Sequence, residues 1–288
     1  MIVQTKKNQT SLAKVVDRLV NIFFIFSLIF VFILFAKSGD HMRIGIALIL
    51  AGLFALVAFI LNWLTIDGSK SAAIFGTIAY GLGGWQAALL VLVFFISASL
   101  FSKDTISTED HRSIKFRRTG AQVWANGFWF ALWLMIWFIT KEYLFLTAAV
   151  ASIAAANADT WATELGNKAE GKTFLITTLE RVKSGTDGGI SISGSLAALA
   201  GSSLIAILFW ITFANSTTLS LVLIIVAGVV GCFFDSFLGA RYQGYIFSKN
   251  SETNVSARPI VLDNNFVNWI AVGSSSIIVL LITLIFEV

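Results

Sequence analysis

Histidine, cysteine and proline are scarce in this chain. Its 288 residues include two histidines, one cysteine and one proline. A lone cysteine excludes a disulfide framework, and Cys232 sits in an apolar run where it reads as packing. His41 and His111 leave little material for histidine acid–base catalysis, and neither HExxH nor a Cys/His metal spacing occurs. The shortage of proline leaves long helices unbroken. Charge is scarce too: 12% of the residues are Asp, Glu, Lys or Arg, against roughly a quarter in soluble domains. Hydrophobic residues make up 57%, and the mean hydropathy is +0.84. This excludes a soluble enzyme, and a net charge of +4 is no nucleic-acid footprint. What remains is an all-α, polytopic membrane helical bundle.

The apolar runs at 19–36 and 44–61 are each close to the minimum that crosses about 30 Å of hydrocarbon. The first is too long for a cleavable secretory signal and lacks a small-residue cleavage site. The run at 72–101 is broken by Gly81, Gly83 and Gly84. It reads as a short segment to about Leu82 and a span from Trp85, a re-entrant hairpin that enters and leaves by one face. Further spans are expected at 123–140, 144–158, 194–212, 219–234 and 269–286, giving about seven to nine membrane segments. Residues 1–18 read as a polar cytoplasmic segment and 19–288 as one transmembrane domain. The amino end and the loops at 102–122, 159–193 and 235–268 hold 16 of the 20 Lys and Arg residues. With the hairpin, all of them fall on the cytoplasmic side. The cell membrane is then the expected location in a prokaryote.

Four polar clusters lie at that face. ANADTWATELG at 156–166 ends an apolar run with acids that lipid would not tolerate. On a helix, Asn157, Thr160 and Glu164 share one stripe, and Asp159 and Thr163 form the next. Asp159 and Glu164 suit Mg²⁺, which takes carboxylate and phosphate oxygens and keeps waters. Arg118, Gln122 and Asn126 follow at fourfold spacing, a guanidinium above two amides that suits a phosphate. SGTDGGISISG at 184–194 is a glycine-rich loop whose Gly185, Thr186, Gly188, Gly189 and Ser191 could cradle an anion. Asp187 is a further metal candidate there, and Lys183 a phosphate neutraliser. FFDSFLGARYQ at 233–243 places Asp235 at a span end, with Arg241 after it. Asn264, Asn265 and Asn268, before the last span, are caps or contacts to a polar ligand. No nucleophile–base pair is present. Phosphoryl transfer needs mainly positioning and charge neutralisation, and a phosphate-monoester acceptor needs no dedicated base.

These stretches, with LTIDGSKSAA at 64–73, resemble the integral-membrane family catalogued as domain of unknown function ninety-two, which includes plant phytyl-phosphate kinase. The likeness covers roughly 44–286, so the first span is assigned only anchoring. The order of the clusters is also distantly similar to CTP-dependent polyprenol kinases and CDP-lipid synthases. The resemblance implies a transferase, a kinase that converts an isoprenoid (prenyl or phytyl-type) monophosphate to its diphosphate with CTP or another nucleotide. Asp159, Glu164 and Asp235, with Asp187, would then surround magnesium and the nucleotide. Arg118, Lys183 and Arg241 would balance charge. The prenyl tail is expected against Phe, Trp and small residues of 123–156. A lipid-alcohol kinase, a CTP-dependent cytidylyltransferase and a lipid or anion transporter remain open. The paired glycines at 83–84 are the feature a transporter would use.

Overall fold

The computed structural model describes residues 2–103, 117–169, 171–243 and 262–286, with side chains from residue 14 onward. His111, Arg112, Lys115 and the loop at 244–261 lie outside the described residues. Eight helices among the described residues are long and apolar enough to cross a membrane. They are α1 (Ile2–Phe35), α2 (Ser38–Ile60), α3 (Ile66–Lys103), α4 (Gly120–Thr140), α5 (Tyr143–Lys168), α6 (Ile192–Thr212), α7 (Thr218–Tyr242) and α8 (Asn264–Phe286). A small antiparallel sheet lies between α5 and α6. Its strands are β1 (Thr173–Leu175), β2 (Arg181–Val182) and β3 (Gly189–Ile190), in the order β2-β1-β3.

The third helix is folded in two. Gly84 has φ 73° and ψ −171°, a conformation open to glycine alone. At one end Leu64 bridges Arg118, whose guanidinium lies over the rings of Phe94 and Phe95. A straight helix would hold Ile66 and Phe94 roughly 40 Å apart, so the arms run antiparallel. Gly84 lines a hollow at the far end with Lys37, Arg43, Lys141 and Phe213. Each arm is about 18 residues, roughly 27 Å, so both traverse the full bundle. The short re-entrant piece expected from sequence is therefore about as long as the second arm, and with α3 counted as two arms the eight helices among the described residues make nine segments.

The alanine-rich α5 is the central post. Its residues from Leu146 to Ala158 are all buried, packed against α3, α4, α6, α7 and α8. Small side chains let membrane helices approach closely, where apolar burial alone gives little drive. Polar ties add to this: the Trp133 indole donates to Ser276 Oγ at 2.9 Å, and Ser275 Oγ donates to Ala227 O at 2.7 Å. The first helix is more than an anchor. Ser71 Oγ donates to buried Asp17 at 2.7 Å, the Trp124 indole donates to Asn21 Oδ1 at 2.9 Å, and Phe24 stacks on Trp124.

Two helices outrun their apolar stretches. α5 continues ten residues past Ala158, and α7 carries Asp235 well inside its last two turns. Both had been expected to end at the first acid. Protein neighbours around these turns remove the need for the helix to stop where lipid would.

Candidate active site

Three carboxylates from three elements face one cavity at the end of the bundle opposite Gly84. Asp159 comes from α5, Asp187 from the loop before β3, and Asp235 from α7. The cavity holds about 150 Å³, the share of about five waters. Thr163, Thr186, Ser191 and the glycines at 185, 188 and 189 complete its polar wall. The charges of Asp159 and Asp187 both act on Asp235. In the orientation that satisfies both of its ends, the Asn268 amide donates to Asp235 Oδ2 at 2.9 Å and to Asn264 O at 3.0 Å.

The loop is held by its own turns and by the sheet. Thr186 donates its hydroxyl to Lys183 O at 2.7 Å, and Ile176 N–H donates to Gly188 O at 3.0 Å. Gly188, at φ 80°, lies against α7: a Cβ there would sit 2.6 Å from both N and Cα of Ala240. Ser191 caps α6 by accepting from Gly194 N–H at 3.1 Å, which directs that helix start toward the cavity.

A second, apolar cavity of about 430 Å³ lies between α2, both arms of α3 and the start of α4. Arg118, Gln122 and Asn126 form its polar edge. Arg118 stands just before α4, its backbone tied to Trp63 and Thr65. Among the described residues its guanidinium donates no hydrogen bond, and it lies 5.8 and 5.9 Å from the Phe94 and Phe95 ring centres. Between the two cavities is a small gap too tight for a water, which shares Asn126 with the apolar cavity and Asp159 and Asp235 with the acidic one, and is also bordered by Asn268.

The family profile of Integral membrane protein DUF92 matches residues 49–276. The chain belongs to the DUF92 integral membrane family. Protein PGR of Arabidopsis thaliana is similar, at 27% identity over 273 residues covering 82% of this chain and 94% of that protein. An uncharacterized membrane protein of Methanocaldococcus jannaschii is 31% identical over 244 residues, 83% of this chain and 94% of its own. One from Synechocystis sp. is 35% identical over 153 residues, 50% of this chain and 59% of its own. No solved structure matches.

Several residues expected at the site of this DUF92 protein do not line the acidic cavity. Of the two stripes on α5, the one bearing Asp159 and Thr163 faces it. Asn157, Thr160 and Glu164 are turned to other tasks. Asn157 is buried and donates to Gly201 O at 2.8 Å. The Thr160 hydroxyl returns to Ala156 O at 2.8 Å, and Glu164 accepts from Ser102 Oγ at 2.6 Å while its charge acts on Arg118. Glu164, expected to share a site with Asp159, does not line the cavity that Asp159 faces. Lys183 and Arg241 are exposed, and neither lines the cavity. Asn264, not Asn265, reaches its wall. The tail residues expected in 123–156 mostly pack against α1 and α8, and the apolar cavity is built from α2 and α3 instead.

Other wall residues were not foreseen. Cys232 and Ser236 reach the cavity beside the expected Asp235, and the spacing of three and four from Cys232 on a helix was the signal for it. Residues 166–173 read GNKAEGKT, the spacing of a GxxxxGK[ST] phosphate loop. Here the order is helix then strand, the reverse of the strand–loop–helix that such a loop needs, and Lys172 is exposed. Among the described residues of that stretch, only Gly166, Asn167 and Thr173 touch the cavity.

Proposed function

We propose that this protein is a membrane phosphotransferase that converts an isoprenoid monophosphate to its diphosphate with a nucleoside triphosphate, CTP by preference, at the cytoplasmic face. The carrying observation is that one bundle holds an acidic cavity and an apolar cavity edged by a cation, with Asn126 lining both the apolar cavity and the tight gap that Asp159 and Asp235 border. A substrate with a charged head and a long tail needs that combination.

Among the described residues three carboxylates and no Lys or Arg line the acidic cavity, and a polyphosphate beside those carboxylates would need cations. Among the described residues no group of three His, Cys, Asp or Glu side chains is placed to hold a metal ion. Magnesium fits a sparser donor set, since it binds one or two carboxylates and completes its shell with water and phosphate oxygens. One or two of Asp159, Asp187 and Asp235 would hold it, and it would supply charge neutralisation on the phosphates. The glycine loop and the capped start of α6 offer N–H groups to the polyphosphate. Asn268 orients Asp235. An oxygen of the prenyl phosphate attacks the γ-phosphorus, the bond from γ-phosphorus to the bridging oxygen breaks, and the nucleoside diphosphate leaves. The acceptor carries nearly two charges at neutral pH, with a second pKa of about 6, so no base need remove a proton.

A transporter is disfavoured by position. The break at Gly84 lies at the far end of the bundle rather than near its middle. The test is purified protein with Mg²⁺, CTP and a series of prenyl phosphates, read by mass spectrometry. Prenyl diphosphate and CDP are expected. A cytidylated lipid with pyrophosphate, or no product with any nucleotide, would sink the proposal. Asp159→Asn and Asp235→Asn should each lower kcat on the order of 10²–10³-fold with the fold intact. Full activity in both would remove the metal assignment.

A further inference from the structure

A prenyl phosphate is mostly tail, and the acidic cavity has no room for one. We propose that the cavity between α2 and the two arms of α3 binds the acceptor's isoprenoid chain, three to four isoprene units long, with its phosphate along the edge from Arg118 to Asn126. The identity of the ligand rests on the phosphotransferase reading. The site itself rests on geometry.

The walls are apolar or aromatic except along that edge, and the volume of about 430 Å³ is that of a small-ligand pocket. Arg118 is a partly buried cation whose guanidinium donates no hydrogen bond among the described residues; it faces the rings of Phe94 and Phe95 and feels the charge of Glu164. At the end of an apolar cavity its N–H donors suit an anion that brings its own apolar body. Asn126 lines both this cavity and the tight gap that Asp159 and Asp235 border. A head group at Asn126 is therefore separated from the acidic cavity by that gap alone.

The length follows from α3. The lining runs from Phe95 near the edge to Trp85 near the Gly84 turn, ten residues, or about 15 Å. An extended isoprene unit of four chain bonds of about 1.5 Å spans roughly 5 Å. Three units fit extended and a fourth fits folded. Leu50 and Trp85, at the closed end, are 48% and 56% exposed. They open the cavity sideways, where lipid would lie, so the chain enters from the bilayer.

The test uses intact protein in nanodiscs and needs no turnover. Farnesyl phosphate carrying a diazirine at its ω end is photolysed, and labelled peptides are mapped. Labels are expected near Leu50, Tyr80, Trp85 and Leu89, competed by farnesyl phosphate. Labels confined to α4–α8, or displaced equally well by phosphatidic acid, would overturn the proposal. Ala88→Phe narrows the deep end. It should cut labelling by a four-unit probe at least tenfold while sparing a two-unit probe, and equal loss or no loss would overturn the ruler. Specific labelling of a protein that makes no diphosphate would sink the phosphotransferase reading alone. Turnover with labels elsewhere would sink the tail site alone.

Discussion

Arg118 shows how far one side chain's surroundings can define a test. Burial pulls its guanidinium down from the ordinary value to about 10, with the Glu164 carboxylate opposing the shift. It remains a cation at neutral pH. Lysine starts near 10.4, and the same desolvation would carry its pKa toward the working range. The charged form of a group whose pKa is depressed is lost as pH rises through that value. Arg118→Lys should thus bind prenyl phosphate near normally at pH 7 and lose affinity by pH 9, while the parent protein holds its KM over the same range. Arg118→Ala should raise KM about tenfold or more at every pH, because a hydrogen bond to a charged group contributes roughly 1.5–3 kcal/mol. A flat pH profile for the lysine variant would mean the head group lies elsewhere. Glu164 supplies the complementary case. Since it pairs with Ser102, Glu164→Gln should keep kcat within a few-fold, in contrast to Asp235→Asn. A loss as large as that of Asp235→Asn would return Glu164 to the metal. The presence of acids at this depth was legible because charge in apolar runs stands out. Which acid serves the cavity was not: Asp159 and Glu164 are five residues apart, about 140° round a helix, and only the packing of α3 and α7 tells one side from the other.

In the proposed reaction, nucleotide binding would depend on the loop from Gly185 to Gly189. Gly188 combines a left-handed backbone with direct approach to α7. Gly188→Ala should cost the loop roughly 1–3 kcal/mol from backbone strain alone, and nucleotide KM should rise about tenfold for each 1.4 kcal/mol. Ala240→Gly should not rescue it, because the added carbon meets the backbone N and Cα of residue 240 at 2.6 Å and not only the side chain. Rescue in that double variant would show that the loop floats free of α7. The loop's glycine content announced a tight turn, but Ser191 was read as an anion contact and not as the cap of α6, whose start was expected only at 194. The sheet did not: its strands are two or three residues long, below what alternation can reveal. Helix ends were misjudged for a related reason. Hydropathy falls at Ala158 and Phe234, but backbone hydrogen bonding continues wherever other helices cover the turns.

At the scale of the molecule, everything proposed requires that α3 traverse the bundle twice. Its three glycines signalled a reversal in the sequence. Its depth could not be read there, because depth depends on Arg43, whose Nε donates to Gly81 O at 2.8 Å, and on Arg118 at the other end. A single polar partner at each end pins the two arms to opposite faces of the bundle. Cysteine labelling tests this in a Cys232→Ala background with a membrane-impermeant maleimide. Gln86→Cys lies by the Gly84 turn and Asn215→Cys in the link before α7, whereas Lys172→Cys and Arg241→Cys flank the acidic cavity. The first pair should label from one side of sealed vesicles and the second pair from the other. By the positive-inside rule the second pair is the one expected to label from the cytoplasmic side. A Gln86→Cys protein that labels with the Lys172→Cys side, while Asn215→Cys does not, would make the first arm a shallow insertion. The apolar cavity would then lose its deep wall and the acceptor its ruler.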